Sequence, residues 1–243
     1  GNLWVYFGTG RFWTVEDKLD TSEQWIYGLK DPYFTEANLS SGTPNNWSVI
    51  VDANIVDLTD IVLDNSTLLL KCLDGSTNCF SQFRSNEGAP ETFQDLVDYL
   101  LQDVDNTGQN NIDGWRRKLV QCIGERVVGQ PTLLGGLVNI TSYCPGDDLC
   151  QSEGESFLYS LYYLTGSSWT KNVFGDEDED YIEFVRSIGP GLSPTPTLQM
   201  GRNKPPQVFL PTSPGYIEQL PIENLPLDNI HSGRSSWHTF DVD

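Results

Sequence analysis

The sequence predicts a mainly β protein. Aromatic residues make up 12% of the 243 residues, with 7 Trp, 10 Tyr and 11 Phe, whereas Met occurs once. Aromatic side chains favour strands, and the 22 Gly and 14 Pro supply turns between them. Apolar residues reach 38%, which is enough for a packed core. A strand, a glycine turn and a second strand recur without a strict repeat, a texture typical of β-propeller blades.

Strands are predicted wherever apolar and aromatic runs are bounded by turn residues. They cover Leu3–Phe7, Gln24–Leu29, Ile50–Leu58, Thr67–Leu73, Phe157–Leu164 and Gln207–Leu210. Between them, Thr132–Leu134 and Leu137–Tyr143 flank a Gly-Gly pair, which predicts a β-hairpin.

One helix interrupts the β pattern. In Glu91–Gln102 the apolar residues recur at helical spacing, and Pro90 with Glu91 suits a helix start. We therefore divide the chain into residues 1–188, read as propeller blades with a helical insertion near 91–102, and residues 189–243, read as a Pro-rich extended tail. Such a tail is expected to wrap over the blades rather than form a separate domain.

The charge balance limits the possible partners. Lys and Arg number 14 against 34 Asp and Glu, so the net charge is −20 and the isoelectric point is about 4.2. Nucleic-acid binders gain affinity by neutralising phosphates with Lys and Arg, so this composition argues against nucleic acid. The apolar runs are far shorter than the ~18 residues of a membrane span, so none is expected.

Five cysteines indicate the compartment: Cys72, Cys79, Cys122, Cys144 and Cys150. Short polar turns separate Cys72 from Cys79 and Cys144 from Cys150, and we predict a disulfide across each turn. Reduced buried thiols and a metal site are the alternatives, although the spacings do not match a zinc ribbon. Cys122 is then either a buried thiol or bonded to a segment outside this chain. Two disulfides favour an oxidising compartment and hence an exported protein.

Several motifs together resemble the C-terminal region of the type IV pilus PilY/PilC family. They lie at Gly1–Trp4, Tyr6–Trp13, Gln24–Pro32, Gly114–Trp115, Gly124–Val128 with Gln130–Pro131, Leu158–Leu161 with Thr165–Gly166, and Gly233–Trp237. They follow the order of the family and span nearly the whole chain. Each motif alone is weak, and the set is specific.

The resemblance implies a modified β-propeller of quinoprotein-like fold on a pilus tip-associated protein. It also implies support of pilus assembly, opposition to retraction, and adhesion to surfaces or host cells. The expected partners are minor pilins or the pilus tip, a surface or host receptor, and the remainder of the same propeller or its N-terminal chain. The expected location is the cell surface or the extracellular pilus, with the periplasm in transit.

Two departures from the family matter. The chain begins within the propeller, so we expect it to be the C-terminal piece of a longer or cleaved protein that covers its exposed strand edges. The regulatory calcium loop of the family precedes the segment that matches Gly1–Trp4, so it cannot be transferred to this chain.

A second candidate calcium loop follows the predicted helix. Asp103, Asp105 and Thr107 stand at the first, third and fifth positions of an EF-hand-like pattern, and a glycine follows at the sixth. The final glutamate of the pattern is missing, so Asp113 would close the site one residue early. The alternative is an Asp- and Asn-rich turn with local hydrogen bonds.

The sequence gives little support for catalysis. A Ser-His-Asp triad would have to use His231 or His238 in the tail, and no Gly-x-Ser-x-Gly motif occurs. We therefore predict a non-enzymatic protein. An exported propeller enzyme or redox protein of quinoprotein type is the alternative. A carbohydrate-binding module is a third hypothesis, in which the aromatic residues stack on sugars, although aromatic residues of strands mostly pack in cores.

Overall fold

The computed structural model describes seven stretches of the chain: 3–31, 49–83, 88–101, 112–146, 154–175, 180–199 and 206–226. Within them the chain forms two helices, α1 (Val15–Lys18) and α2 (Phe93–Leu101), and two 3₁₀ turns, Asp52–Asn54 and Asn78–Gln82. The strands, in chain order, are β1 (Trp4–Gly8), β2 (Trp25–Lys30), β3 (Ile55–Asp57), β4 (Ile61–Leu63), β5 (Leu70–Cys72), β6 (Gly114–Lys118), β7 (Arg126–Val127), β8 (Thr132–Leu134), β9 (Leu137–Cys144), β10 (Glu155–Tyr162), β11 (Val185–Pro190), β12 (Thr197–Gln199), β13 (Gln207–Pro211) and β14 (Ile217–Pro221).

These strands form four sheets, and none closes into a barrel over the stretches just given. The first sheet has the order β1-β2-β6-β3, with β3 parallel to β6 and the other pairs antiparallel. The second has the order β11-β10-β9-β7, and β8 also pairs with β9. The third has the order β12-β13-β14, and β4 pairs with β5 in the fourth. The fold is mainly β, as predicted.

The second sheet lies between two apolar cores. The main core joins the first sheet, β4 and α2 to one face of β9 and β10 through Ile140, Tyr159 and Leu161. The second core joins Leu137 and Leu158 to the third sheet. Every residue of β9 is buried, as expected for a strand covered on both faces.

The predicted helix is confirmed as α2, which is anchored by its own sequence. The Thr92 and Asp95 side chains each accept a hydrogen bond from the main-chain N–H of the other, at 3.2 and 2.9 Å. This reciprocal capping satisfies N–H groups that lack partners at a helix start. The buried side chains lie on the apolar stripe of the helix and join the main core: Phe93, Leu96, Val97, Tyr99 and Leu100. Among the described residues, neither helix combines the length and apolar character needed to cross a bilayer.

The tail contains more regular structure than the single predicted strand at 207–210. Strands β12, β13 and β14 form the third sheet, in which β13 is the central strand. Val208, Leu210 and the neighbouring Ile222 are fully buried in the second core. Pro211 and Pro221 stand at the last positions of β13 and β14, where a missing N–H costs least. Because proline marked this region as extended, its strands were under-predicted.

Candidate functional site

Five of the motif segments that carry the resemblance come together in space. In the first sheet, β1 and β2 contain Tyr6–Gly8 and Trp25–Lys30, and Gly114 and Trp115 begin β6. Gly124–Val128 lies beside the end of β1, and Thr165–Gly166 forms the turn after β10. Two groups of contacts, one around Trp115 and one around Arg126, join these segments. We call them the Trp115 joint and the Arg126 joint. The terminal motif Gly233–Trp237 lies outside the described residues.

At the Trp115 joint, a buried indole lies between two glycines from distant segments. Trp115 is 0% exposed, and a Cβ at Gly28 or Gly166 would lie 2.3 Å from a ring atom. The indole Nε1 donates to the Tyr163 carbonyl at 3.1 Å. Gly166 also has a φ of +64°, so the turn after β10 favours glycine twice over. The joint therefore fixes β2 and β6 against the turn after β10.

Arg117 extends the Trp115 joint into the core. Its guanidinium donates to the carbonyls of Gly166, Thr59 and Ile61 at 3.0, 3.2 and 2.9 Å. It also lies 4.3 Å from the centroid of the Phe184 ring. Burial lowers the pKa of Arg117 to about 10, so the side chain remains a cation at neutral pH. One buried side chain thus links β6 to three other segments.

At the Arg126 joint, a second buried arginine binds main-chain carbonyls of the loop after β1. Its guanidinium donates to the carbonyls of Gly124 and Arg11 at 2.9 Å, to that of Asp20 at 2.6 Å, and to that of Asp17. Burial lowers the pKa of Arg126. A Cβ at Gly10 would lie 2.5 Å from the Arg126 side chain, so Gly10 lets the two chains approach.

Asp17 holds the same loop from within α1. Its Oδ2 accepts the N–H groups of Trp13 and Thr14, both at 2.8 Å, and its Oδ1 accepts Arg11 Nε at 2.6 Å. The Trp13 N–H, the Thr14 N–H and the Arg11 guanidinium lower the pKa of this carboxyl to about 2. Asp17 is therefore an anion at neutral pH, and it orders the loop between β1 and β2.

Glu125 is a buried carboxylate next to the Arg126 joint. Its Oε2 accepts the Gln121 N–H at 2.7 Å, and its Oε1 accepts Tyr159 Oη at 2.9 Å and Ser142 Oγ. Burial raises the pKa of Glu125, and burial raises the pKa of Tyr159 well above its usual value. These three hydrogen bonds replace those that the carboxylate would make to water if it were exposed. This network ties β9 and β10 to the loop before β7.

One of the predicted disulfides is corrected by the structure. Cys144 is bonded to Cys122, not to Cys150, with 6.0 Å between the Cα atoms. The pairing of β7 with β9 places Arg126 opposite Tyr143, which carries the preceding loop and its Cys122 to the end of β9. Cys150 lies outside the described residues.

The structure contains the predicted Cys72–Cys79 disulfide, with 5.7 Å between the Cα atoms. It closes the turn after β5 onto the 3₁₀ turn Asn78–Gln82. Both disulfides thus fix loops at the ends of strands.

The calcium loop falls almost wholly outside the described residues, which include Asp113 but not Asp103, Asp105 or Thr107. Asp113 is 5% exposed, and its Oδ2 accepts Asn54 Nδ2 at 3.1 Å. Within the described stretches no three His, Cys, Asp or Glu side chains cluster as metal ligands would. The calcium site stays a prediction. His231 and His238 also lie beyond the described stretches.

Sequence reasoning missed the roles of Arg117 and Glu125. Arg117 stands between Arg116 and Lys118, and nothing in a run of three cations marks the middle one as buried. Side chains alternate between the two faces of a strand, so a strand at this position would predict that Arg117 lies on the same buried face as Trp115. Glu125 belongs to the motif Gly124–Val128, but the sequence predicts no role for it, because its partners on β9 and β10 are distant in sequence.

These features define a class of protein: an open, multi-sheet β protein whose sheets are joined by buried arginine and tryptophan contacts. The fold resembles that of the PilY1 C-terminal domain from Pseudomonas aeruginosa, with a TM-score of 0.53 and 17% sequence identity. The alignment covers 91% of this chain and 41% of that chain, so this chain spans about two-fifths of the length of the PilY1 chain. No family model and no curated protein matches the sequence.

Proposed function

We propose that this chain is part of an exported, pilus-associated protein of the PilY/PilC kind, without enzymatic activity, that supports pilus assembly and surface or host-cell adhesion. One observation carries the proposal. Five of the motif segments on which the sequence resemblance rests meet in two joints, within a fold like that of a pilus protein's C-terminal domain.

The proposed mechanism is the display of a rigid β surface at or near the pilus tip. The buried cations Arg117 and Arg126 each hold several main-chain carbonyls, and the two disulfides fix loops at strand ends. Such cross-links suit a protein that bears load when a pilus retracts. Disulfides also persist in oxidising compartments, which supports export to the cell surface or pilus by way of the periplasm.

A calcium ion in the loop formed by Asp103, Asp105, Thr107 and Asp113 remains part of the proposal. Carboxylate and hydroxyl oxygens are suitable ligands, and the ion would order the connection between α2 and β6. The proposed partners are minor pilins or the pilus tip and a surface or host receptor.

The test is localisation combined with genetics in the source organism. Pili sheared from cells should contain the protein, and its loss should reduce surface piliation and adhesion. Restoring the gene should restore both, whereas a variant that destroys the Trp115 joint should not. A protein absent from sheared pili, together with normal piliation in its absence, would contradict the proposal. A stoichiometric quinone in the purified protein would instead favour the quinoprotein reading.

A further inference from the structure

The two faces of the first sheet have different environments. Strand register places Trp4, Tyr6, Ile26, Trp115, Arg117 and Val56 on one face, which packs into the main core. The opposite face, here called the open face, carries Val5, Phe7, Trp25, Tyr27, Leu29, Ile55, Asp57, Arg116 and Lys118. These nine residues are exposed or half-buried, whereas Gly114, which the register also places on this face, is buried.

The open face is largely apolar. Val5 is 48% exposed and Phe7 is 37% exposed, and the Phe7 ring stacks on Tyr27 with 5.0 Å between centroids. Trp25 and Leu29 continue this surface along β2. Contiguous apolar patches on a protein surface generally mark a place where another surface binds.

The charged residues of the open face are already neutralised. Arg116 pairs with Asp57 and Asp52, and its guanidinium lies 4.6 Å from the centroid of the Trp25 ring. Lys118 pairs with Glu23. Both cations are thus paired with carboxylates, so the face offers no unpaired positive charge to an anionic ligand, and its apolar part suits burial under another apolar surface.

The margin of the open face has room for side chains of a covering element. A surface cavity of about 380 Å³ opens beside β6 and is lined by residues that include Trp25, Asp57, Gln82 and Lys118. A second cavity of about 230 Å³ lies farther along the margin, against Ile55 and Arg116. A flat, tightly packed sheet surface would have no such recesses.

We propose that the open face is covered by a further β-sheet of the same polypeptide, from outside these 243 residues. This inference rests on the proposed function, and it identifies the surface that meets the remainder of the propeller. The chain itself gives the precedent, since the opposite face of the same sheet already packs against the second sheet. The PilY1 chain of similar fold is longer, since this chain covers 41% of its length. A polypeptide of that length has further segments that could form the covering sheet.

Photo-crosslinking of the full natural polypeptide tests the proposal. A benzoyl-phenylalanine placed at Tyr27 should crosslink to peptides outside residues 1–243 of the same polypeptide, without raising its mass on a denaturing gel. The matched control is the same replacement at Tyr216, which lies immediately before β14, is 70% exposed and should give no such product. If the replacement at Tyr27 prevents folding, Phe7 serves as the second site.

Three results would overturn the proposal. They are a crosslink from Tyr27 to a second copy or another protein, a crosslink to residues 32–48 of this chain, and a yield of crosslinked product no higher than at Tyr216.

Hydroxyl-radical footprinting of the natural polypeptide gives an independent readout. Phe7 and Tyr27 should be oxidised as slowly as the buried Tyr159, and several-fold more slowly than Tyr216. Oxidation at the rate of Tyr216 would also overturn it.

A covered open face and a pilus location are measured separately, so either proposal can fail without the other. Crosslinking and footprinting are read on the purified polypeptide, whether or not it comes from pili. A covered open face in a protein absent from pili would refute the pilus role alone. An uncovered open face in a pilus protein would refute only this inference.

Discussion

Gly166 lies so close to the Trp115 indole that a Cβ on the glycine would be 2.3 Å from Cε3 of the ring. Trp115 lies in β6 and Gly166 in the turn after β10, 51 positions farther along the chain. Position 166 therefore favours glycine because of packing as well as backbone conformation. The first prediction depends on this distinction between packing and conformation.

The first prediction concerns Gly166→Ala. Its φ of +64° costs an alanine about 1–2 kcal/mol in the left-handed region, and the collision with Trp115 adds about 1–3 kcal/mol. The matched control is Gly75→Ala, because Gly75 has a φ of +73° but no atom within 4 Å of an added Cβ. Urea unfolding should show a clearly larger loss at Gly166. Equal losses at the two positions would mean that the indole yields to the methyl group.

A second prediction follows from the three carbonyls that Arg117 holds. Arg117→Ala leaves buried acceptors without donors, and each unsatisfied group costs about 1–3 kcal/mol, so a loss of several kcal/mol is expected. Lys71→Ala is the control, because its ion pair with Asp64 is partly exposed and is worth about 0–1 kcal/mol. Chemical denaturation measures both. A small effect at Arg117 would show that water reaches the carbonyls.

Much of this fold could be predicted from the sequence where the signal is local. The Gly-Gly hairpin of β8 and β9 and the amphipathic helix α2 depend on neighbours within a few residues, and both were predicted. Strand β6 was not assigned, because Arg116, Arg117 and Lys118 hide its alternation. Its cations are tolerated since one is buried on carbonyls and the others are paired with carboxylates.

The candidate site was predictable only in part. The resemblance marked the segments that form the Trp115 and Arg126 joints, but not what their side chains do. The pairing of Cys144 was predicted wrongly, because sequence spacing favours the nearer Cys150 whereas the pairing of β7 with β9 brings Cys122 closer. Long-range register decides such contacts, and a single sequence contains little information about it.

The third prediction concerns the pH dependence contributed by Asp17. Its pKa is lowered to about 2 in the folded protein from the usual 3.8, so its stabilising effect is complete above pH 4. The effect is lost as the pH falls from about 4 to about 2. Asp17→Asn should flatten this part of the stability curve, measured by urea unfolding at successive pH values. The exposed Asp98→Asn is the control, and an unchanged acid limb in Asp17→Asn would contradict the prediction.

The fourth prediction tests the buried network of Glu125. Tyr159→Phe removes the phenol that donates to Glu125 Oε1 at 2.9 Å without changing the ring that packs in the main core. A hydrogen bond to a charged acceptor contributes about 1.5–3 kcal/mol, so a loss of that size is expected. Tyr216→Phe, at a site 70% exposed, should change the free energy of unfolding very little. Equal, small effects would indicate that the carboxylate is satisfied without the phenol.

The last prediction concerns the cysteine connectivity and its energetics. Peptide mapping without reduction should yield a Cys122–Cys144 peptide, and a Cys144–Cys150 peptide would contradict the structure. The two disulfides close loops with sequence separations of 22 and 7 residues. Because the entropy lost by the unfolded chain grows with loop length, Cys122→Ser with Cys144→Ser should cost about 3.4 kcal/mol. The matched pair Cys72→Ser with Cys79→Ser should cost about 2.5 kcal/mol, as measured by denaturation of both double variants. A larger loss from the shorter loop would show that native contacts, not chain entropy, determine the contribution of these bonds.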